Sequence, residues 1–181
     1  LDSRVPKNLY SITLSLSDKL DTLVGFFGLD LIPTGSRDPY ALRRFTIALV
    51  RLIIENKIRI KLRSIINYSL TLYKEQGYEF DITKVLKELN NFILDRLKNY
   101  SKDKDIRQDI IESSILTNDI DDLYNGYKKA EVLSRNIKKD FVKDVIEIYK
   151  RSSSILNSEI IKNKLELSDS VDTGLFKNDF E

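Results

Sequence analysis

Cysteine, histidine, methionine and tryptophan are all missing from the 181 residues, and each of the first two absences removes a body of chemistry. Without cysteine there is no disulfide and no thiolate nucleophile; without histidine there is no imidazole base, nucleophile or metal ligand. Most hydrolase and zinc-enzyme mechanisms are thereby excluded. Methionine is missing even at position 1, so Leu1 is not expected to be a natural start. Six glycines and three prolines are too few for the many tight turns of a sandwich or barrel of short strands. No apolar run approaches the roughly 18–20 residues of a membrane span, and the opening segment lacks the basic-then-apolar order of a signal peptide. The expected setting is soluble, reducing and cytoplasmic, with no membrane partner.

What is present is enough for a core. Hydrophobic residues make up 41% and charged residues 32%, and 30 Lys and Arg nearly balance 28 Asp and Glu. A net charge of +2 means that any attraction for a polyanion must be local. Leu9, Ile12, Leu16, Leu20, Leu23 and Phe27 recur at helical spacing and predict an amphipathic helix ending near Gly28. Asp38 followed by Pro39 matches an N-cap with proline at the first helical position, so a second helix is expected from Pro39 to about Asn56. Further helices are expected at about 62–73, 81–100, 105–116, 120–133 and 139–156. In the last, Phe141, Val145, Ile148, Ser152 and Ile155 form the expected inner side. The fold class expected is all-α.

Two stretches concentrate positive charge. From Arg37 to Arg63 eight bases face two acids, and from Lys128 to Arg151 eight bases face four. In the Pro39 helix Arg44 and Arg51 share the narrow polar stripe, while Arg43 leans to the apolar flank and should need a buried partner. The nearest acids on a neighbouring antiparallel helix are Asp18 and Asp21, so an Arg43 clamp to one of them is expected. In the later cluster Tyr149 stands beside Lys150 and Arg151, with Lys139 and Lys143 upstream. Lysines meeting phosphates and aromatic or guanidinium planes stacking on bases would suit a single-stranded RNA loop. A solvated helix face would read similarly. No glycine-rich phosphate loop occurs, and two aspartates without histidine make a poor metal site, so no catalytic or metal-ligating residue is expected.

The run Ser17-Asp-Lys-Leu-Asp-Thr-Leu-Val-Gly-Phe-Phe-Gly28, followed by Pro33-Thr-Gly-Ser-Arg-Asp-Pro-Tyr-Ala-Leu-Arg-Arg44, resembles the β subunit of the bacterial two-subunit glycyl-tRNA synthetase. Phe92-Ile-Leu-Asp-Arg-Leu97 and Tyr149-Lys-Arg-Ser-Ser-Ser-Ile-Leu156 resemble later segments of that family, although Ser152 and Ser154 replace its usual Val and Asn. The resemblance implies the end of an HD-like helical domain over residues 1–60, then a helical anticodon-binding-type bundle over 61–181. It implies tRNA recognition without a chemical step in this chain: glycine activation belongs to the α subunit, where ATP and Mg would bind, and no cofactor is expected here. Asp18 resembles only the last aspartate of the HD phosphohydrolase pattern, whose metals need histidines. The implied partners are tRNA(Gly) and the α subunit, with room for a second β subunit. Candidate tRNA contacts are Arg44, Arg51, Lys139, Lys143, Tyr149, Lys150 and Arg151. The competing reading is a helical assembly module that touches no RNA.

Overall fold

Leu20, Leu23, Val24 and Phe27 project from the first helix into a core that three later helices close, and all four are at most 2% exposed. The structure, a computed structural model, describes residues 4–115 and 120–163. Among the described residues the α-helices in chain order are α1 (Leu9–Gly28), α2 (Leu42–Glu55), α3 (Leu62–Glu75), α4 (Ile82–Lys102), α5 (Gln108–Ile115), α6 (Leu123–Asn136) and α7 (Asp140–Asn163), with a 3-10 turn at Ile120–Asp122. The fold is all-α, as the periodicity predicts. Helix α1 lies against α2, α3 and α4; α2 also packs on α4, and α5 on α4. Leu49, Ile53, Leu62, Ile66, Leu89, Ile93, Leu97 and Ile111 are fully buried. Each such side chain contributes about 1.5–3 kcal/mol of hydrophobic stabilisation.

Two glycines let α1 meet its neighbours closely. A Cβ on Gly25 would fall 2.9 Å from Tyr73 Cζ, and one on Gly28 would fall 2.6 Å from Phe80 Cζ. The Tyr73 hydroxyl donates to the Asp21 carbonyl at 3.2 Å, and Tyr73, Tyr78 and Phe80 form a ring cluster with centroids 5.4–5.9 Å apart. Helices α1 to α4 end alike. Asp30, Lys57, Gly77 and Asp105 adopt the left-handed conformation at φ 57°, 57°, 90° and 58°. After each, the next N–H donates five residues back: Leu31 to Phe26, Ile58 to Ile53, Tyr78 to Tyr73 and Ile106 to Ser101. This is the Schellman closure, satisfying carbonyls the helix end leaves open.

Three expectations change. Helix α2 begins at Leu42, three residues after Pro39, because Pro39 and Tyr40 form a turn and Ala41 is left-handed at φ 56°. Asp38 still caps it, but through its side chain: Oδ1 accepts from Leu42 N at 2.8 Å and Oδ2 from Arg43 N at 3.0 Å. Helix α5 starts at Gln108 because Asp105 closes α4. On α7 the expected inner side is exposed, with Phe141 at 71%, Val145 at 51%, Ile148 at 65% and Ile155 at 58%. The less exposed stripe is Val142, Ile146, Ser153 and Ile160, about 100° around the helix. Compact packing divides the described residues into two units, one ending at Arg135 and the other beginning at Asn136. Helices α1 and α2 share one core with α3 and α4.

Candidate nucleic-acid interface

The recognisable run at residues 33–44 builds a connection and leaves little of it free. Gly35 is left-handed at φ 51°, Arg37 N donates to the Thr34 carbonyl at 2.9 Å, and Asp38 caps α2 as described. Arg43 Nη2 then donates to the Gly35 carbonyl at 2.6 Å, so the guanidinium fastens the loop to α2. That placement corrects the expected clamp. Asp18 lies 3.8 Å from Lys19 Nζ, Asp21 accepts from Ser69 Oγ at 3.4 Å on α3, and neither reaches Arg43. A loop carbonyl satisfies Arg43 without a second buried charge. Lys19 on α1 instead places its ammonium over the Phe45 ring of α2 at 5.4 Å, and Phe26 meets the Tyr40 ring of the connection at 4.5 Å.

Among the basic residues of α2, Arg44 is exposed, whereas Arg51 is only 21% exposed and its Nε donates to Glu55 Oε1 at 2.8 Å. Arg51 and Glu55 also border Tyr100, whose hydroxyl is pushed up to about 12, first by burial and then by the neighbouring Tyr127. Tyr127 is raised for the same first reason. Arg51 is thus committed to the first compact unit, and the expectation that it stands on an open polar stripe is corrected.

On α7 and at the residue preceding it the candidates are open. Lys139, Lys143, Lys150 and Arg151 are exposed, and Tyr149 is 72% exposed. At 100° per residue Lys139, Lys143 and Lys150 fall within about 40° of one another, a ridge about 16 Å long. Lys143 Nζ sits 2.8 Å from Asp140 Oδ1, a one-turn pair too exposed to neutralise the ridge. Arg151 lies about 100° to one side, among Asp144 and Glu147, and Tyr149 about 100° to the other. The ridge, the guanidinium and the ring are adjacent but do not converge on a pocket. No three acidic residues gather as a metal-binding group among the described residues, and no described helix is long and apolar enough to cross a membrane.

The arrangement is that of an all-helical module carrying a basic ridge on its last described helix. The family model described as "Glycyl-tRNA synthetase beta subunit" matches residues 1–116. Over 177 residues, 98% of the chain, the sequence is 33% identical to the glycine–tRNA ligase beta subunit of Clostridioides difficile (strain 630), of which it covers 24%. It is 34% identical over the same length to the protein of that name from Cereibacter sphaeroides (strain ATCC 17029), covering 25%. The chain belongs to the glycyl-tRNA synthetase beta subunit family, and it spans about a quarter of the length of the curated relatives it matches.

Proposed function

We propose that this chain is a tRNA-binding part of a glycine–tRNA ligase β subunit, supporting glycylation of tRNA(Gly) by an α subunit and performing no chemical step itself. The observation that carries the reading is the exposed Lys139, Lys143 and Lys150 ridge flanked by Tyr149 and Arg151. A ridge of that length can neutralise successive phosphates, while the phenol offers a stacking surface for an unpaired base. In this reading ATP and Mg act at the α subunit, a second β subunit is a further partner, and the assembly works in the cytoplasm. Residues 1–60 are then the end of an HD-like domain and 61–181 an anticodon-binding-type bundle. Arg44 remains a contact candidate, and Arg51 a less open one.

The test is tRNA binding by the 181-residue chain as a function of salt. Phosphate contacts release counterions, so the affinity should fall steeply as salt rises. Lys150→Glu with Arg151→Glu should weaken binding while circular dichroism stays unchanged. Tyr149→Ala should cost about 1–3 kcal/mol if a base stacks there, with Tyr149→Phe retaining most of it. Unchanged binding by these variants would favour the second reading, an assembly module. The observation on that side is the exposed apolar stripe of Phe141, Val145, Ile148 and Ile155.

A further inference from the structure

Between α2 and α3 the chain alternates Lys57-Ile-Arg59-Ile-Lys61-Leu-Arg63. Ile58, Ile60 and Leu62 turn inward, Leu62 completely, while all four cations are exposed. This period-two pattern stands in a connection, not in a sheet, so its effect is to hold a row of positive charge outward along one edge. Beside it opens a cleft of about 510 Å³ within the first compact unit, reached also by Ser114 at the end of α5 and by Asn125 and Lys129 on α6. That volume falls in the range of small-molecule sites.

The acids of the cleft are already engaged. Asp122 accepts from Arg59 Nε through Oδ2 and caps α6 through Oδ1, which accepts from Asn125 N at 3.0 Å. Asp121 Oδ1 accepts from Arg63 N at 2.8 Å. The Lys61 and Lys129 ammonium groups make no hydrogen bond or ion pair among the described residues, and the backbone carbonyl of Lys61 accepts from Ile65 N at 3.2 Å. Among the described residues the lining therefore offers two unpaired ammonium groups, the Ser114 hydroxyl and the Asn125 amide, with the Asp121 and Asp122 carboxylates tied to the scaffold. Such a surplus of donors over acceptors suits an anion with several oxygens.

We propose that this cleft is a second nucleotide-phosphate site, in which Lys61 and Lys129 grip the backbone of a single RNA strand. The choice of an RNA strand rests on the function proposed above, whereas the anion chemistry rests on the cleft alone. The site is lined from 59–61, Ser114 and 121–129 and uses none of the α7 side chains.

The test follows a short fluorescein-labelled single-stranded oligoribonucleotide bound to the 181-residue chain across a salt series. Lys61→Ala and Lys129→Ala should each lower the slope of log affinity against log salt by about 0.7, the share of one single-strand phosphate contact. Lys102→Ala, an exposed lysine outside the cleft, should leave the slope unchanged. Because Lys61 precedes α3 directly, Lys129→Ala alone decides the matter if the Lys61 variant misfolds. Adenosine monophosphate should displace the strand only in large excess; displacement at equal concentration would assign the cleft to a free nucleotide and overturn the strand. Unaltered slopes in both lysine variants would overturn the site. If the α7 reversals weaken binding and the cleft variants do not, this inference falls and the proposed function stands; the reverse pattern supports the cleft and removes α7.

Discussion

Gly28→Ala sets two effects of opposite sign against each other at one atom. Gly28 closes α1 with ordinary negative φ, so alanine there would favour the helix by up to about 1 kcal/mol if the surroundings were empty. They are not empty. The added methyl would fall 2.6 Å from Phe80 Cζ, well inside van der Waals contact. Phe80 cannot retreat freely, because its ring packs on Tyr73 at 5.4 Å and on Tyr78 at 5.9 Å. Displacing packed rings costs about 1–3 kcal/mol, so the net expectation is destabilisation of about 0–3 kcal/mol. In a Phe80→Ala background the clash disappears and the same substitution should stabilise by up to about 1 kcal/mol. The cycle thus predicts a coupling of about 1–3 kcal/mol between the two positions, read by urea unfolding of four variants. A thermal midpoint would move by about 2–4 °C per kcal/mol in a chain of this size. Gly28→Ala stabilising the parent chain, or effects that simply add, would refute the packing argument.

Arg43→Leu should cost under about 1 kcal/mol in denaturant unfolding, since the lost bond runs to an exposed loop carbonyl; a loss of 3–5 kcal/mol would restore a buried carboxylate partner. Asp105→Gly should stabilise by about 0.5–1 kcal/mol, because glycine adopts the left-handed cap without strain and a carboxylate at the end of α4 opposes the helix dipole. Destabilisation in thermal melts would show that the Asp105 side chain has another role. Tyr100 holds its proton up to about pH 12 in the fold against about 10 in the unfolded chain, so its contribution is complete below pH 10 and disappears as pH rises to about 12. Tyr100→Phe should flatten that alkaline loss of stability, and tyrosinate absorbance should show Tyr100 ionising late; a normal titration would show the hydroxyl in open water.

Much of the fold is legible in the chain because long apolar periodicities leave one solution. Val85, Leu89, Ile93 and Leu97 on α4 and Leu49, Leu52 and Ile53 on α2 are buried as their spacing requires. What is not legible comes from local closure. Gly77 announces a left-handed cap, but Asp30, Lys57 and Asp105 take the same conformation with side chains that give no such signal. Asp105 therefore reads as the start of α5 when it is the end of α4. Asp38 and Pro39 read as one contiguous cap, whereas the carboxylate reaches past a turn to Leu42 and Arg43. On α7 the 4-3 spacing of Phe141, Val145, Ile148, Ser152 and Ile155 is a genuine apolar stripe, yet spacing says only that a face is apolar, not that anything covers it.

The same distinction separates the residues that identify the family from those that can meet RNA. Gly25, Gly28, Gly35, Asp38 and Arg43 are spent on close packing, a loop turn, a cap and a loop clasp, each with its partner within the chain. A residue whose hydrogen bonds and contact surface are already used cannot also bind a ligand without giving something up. Open cations stand instead at Arg44, at Lys129 on α6, along α7 and in the 57–63 connection, and among the described residues no side-chain bond ties Arg44, Lys129 or Lys61 to the scaffold. In the function proposed above, the candidates for gripping a strand are therefore two separate basic features, α7 and the cleft beside the 57–63 connection. That makes the salt slope informative: if both grip phosphates of the same strand, removing Lys129 and reversing Lys150 should lower it by separate increments that add.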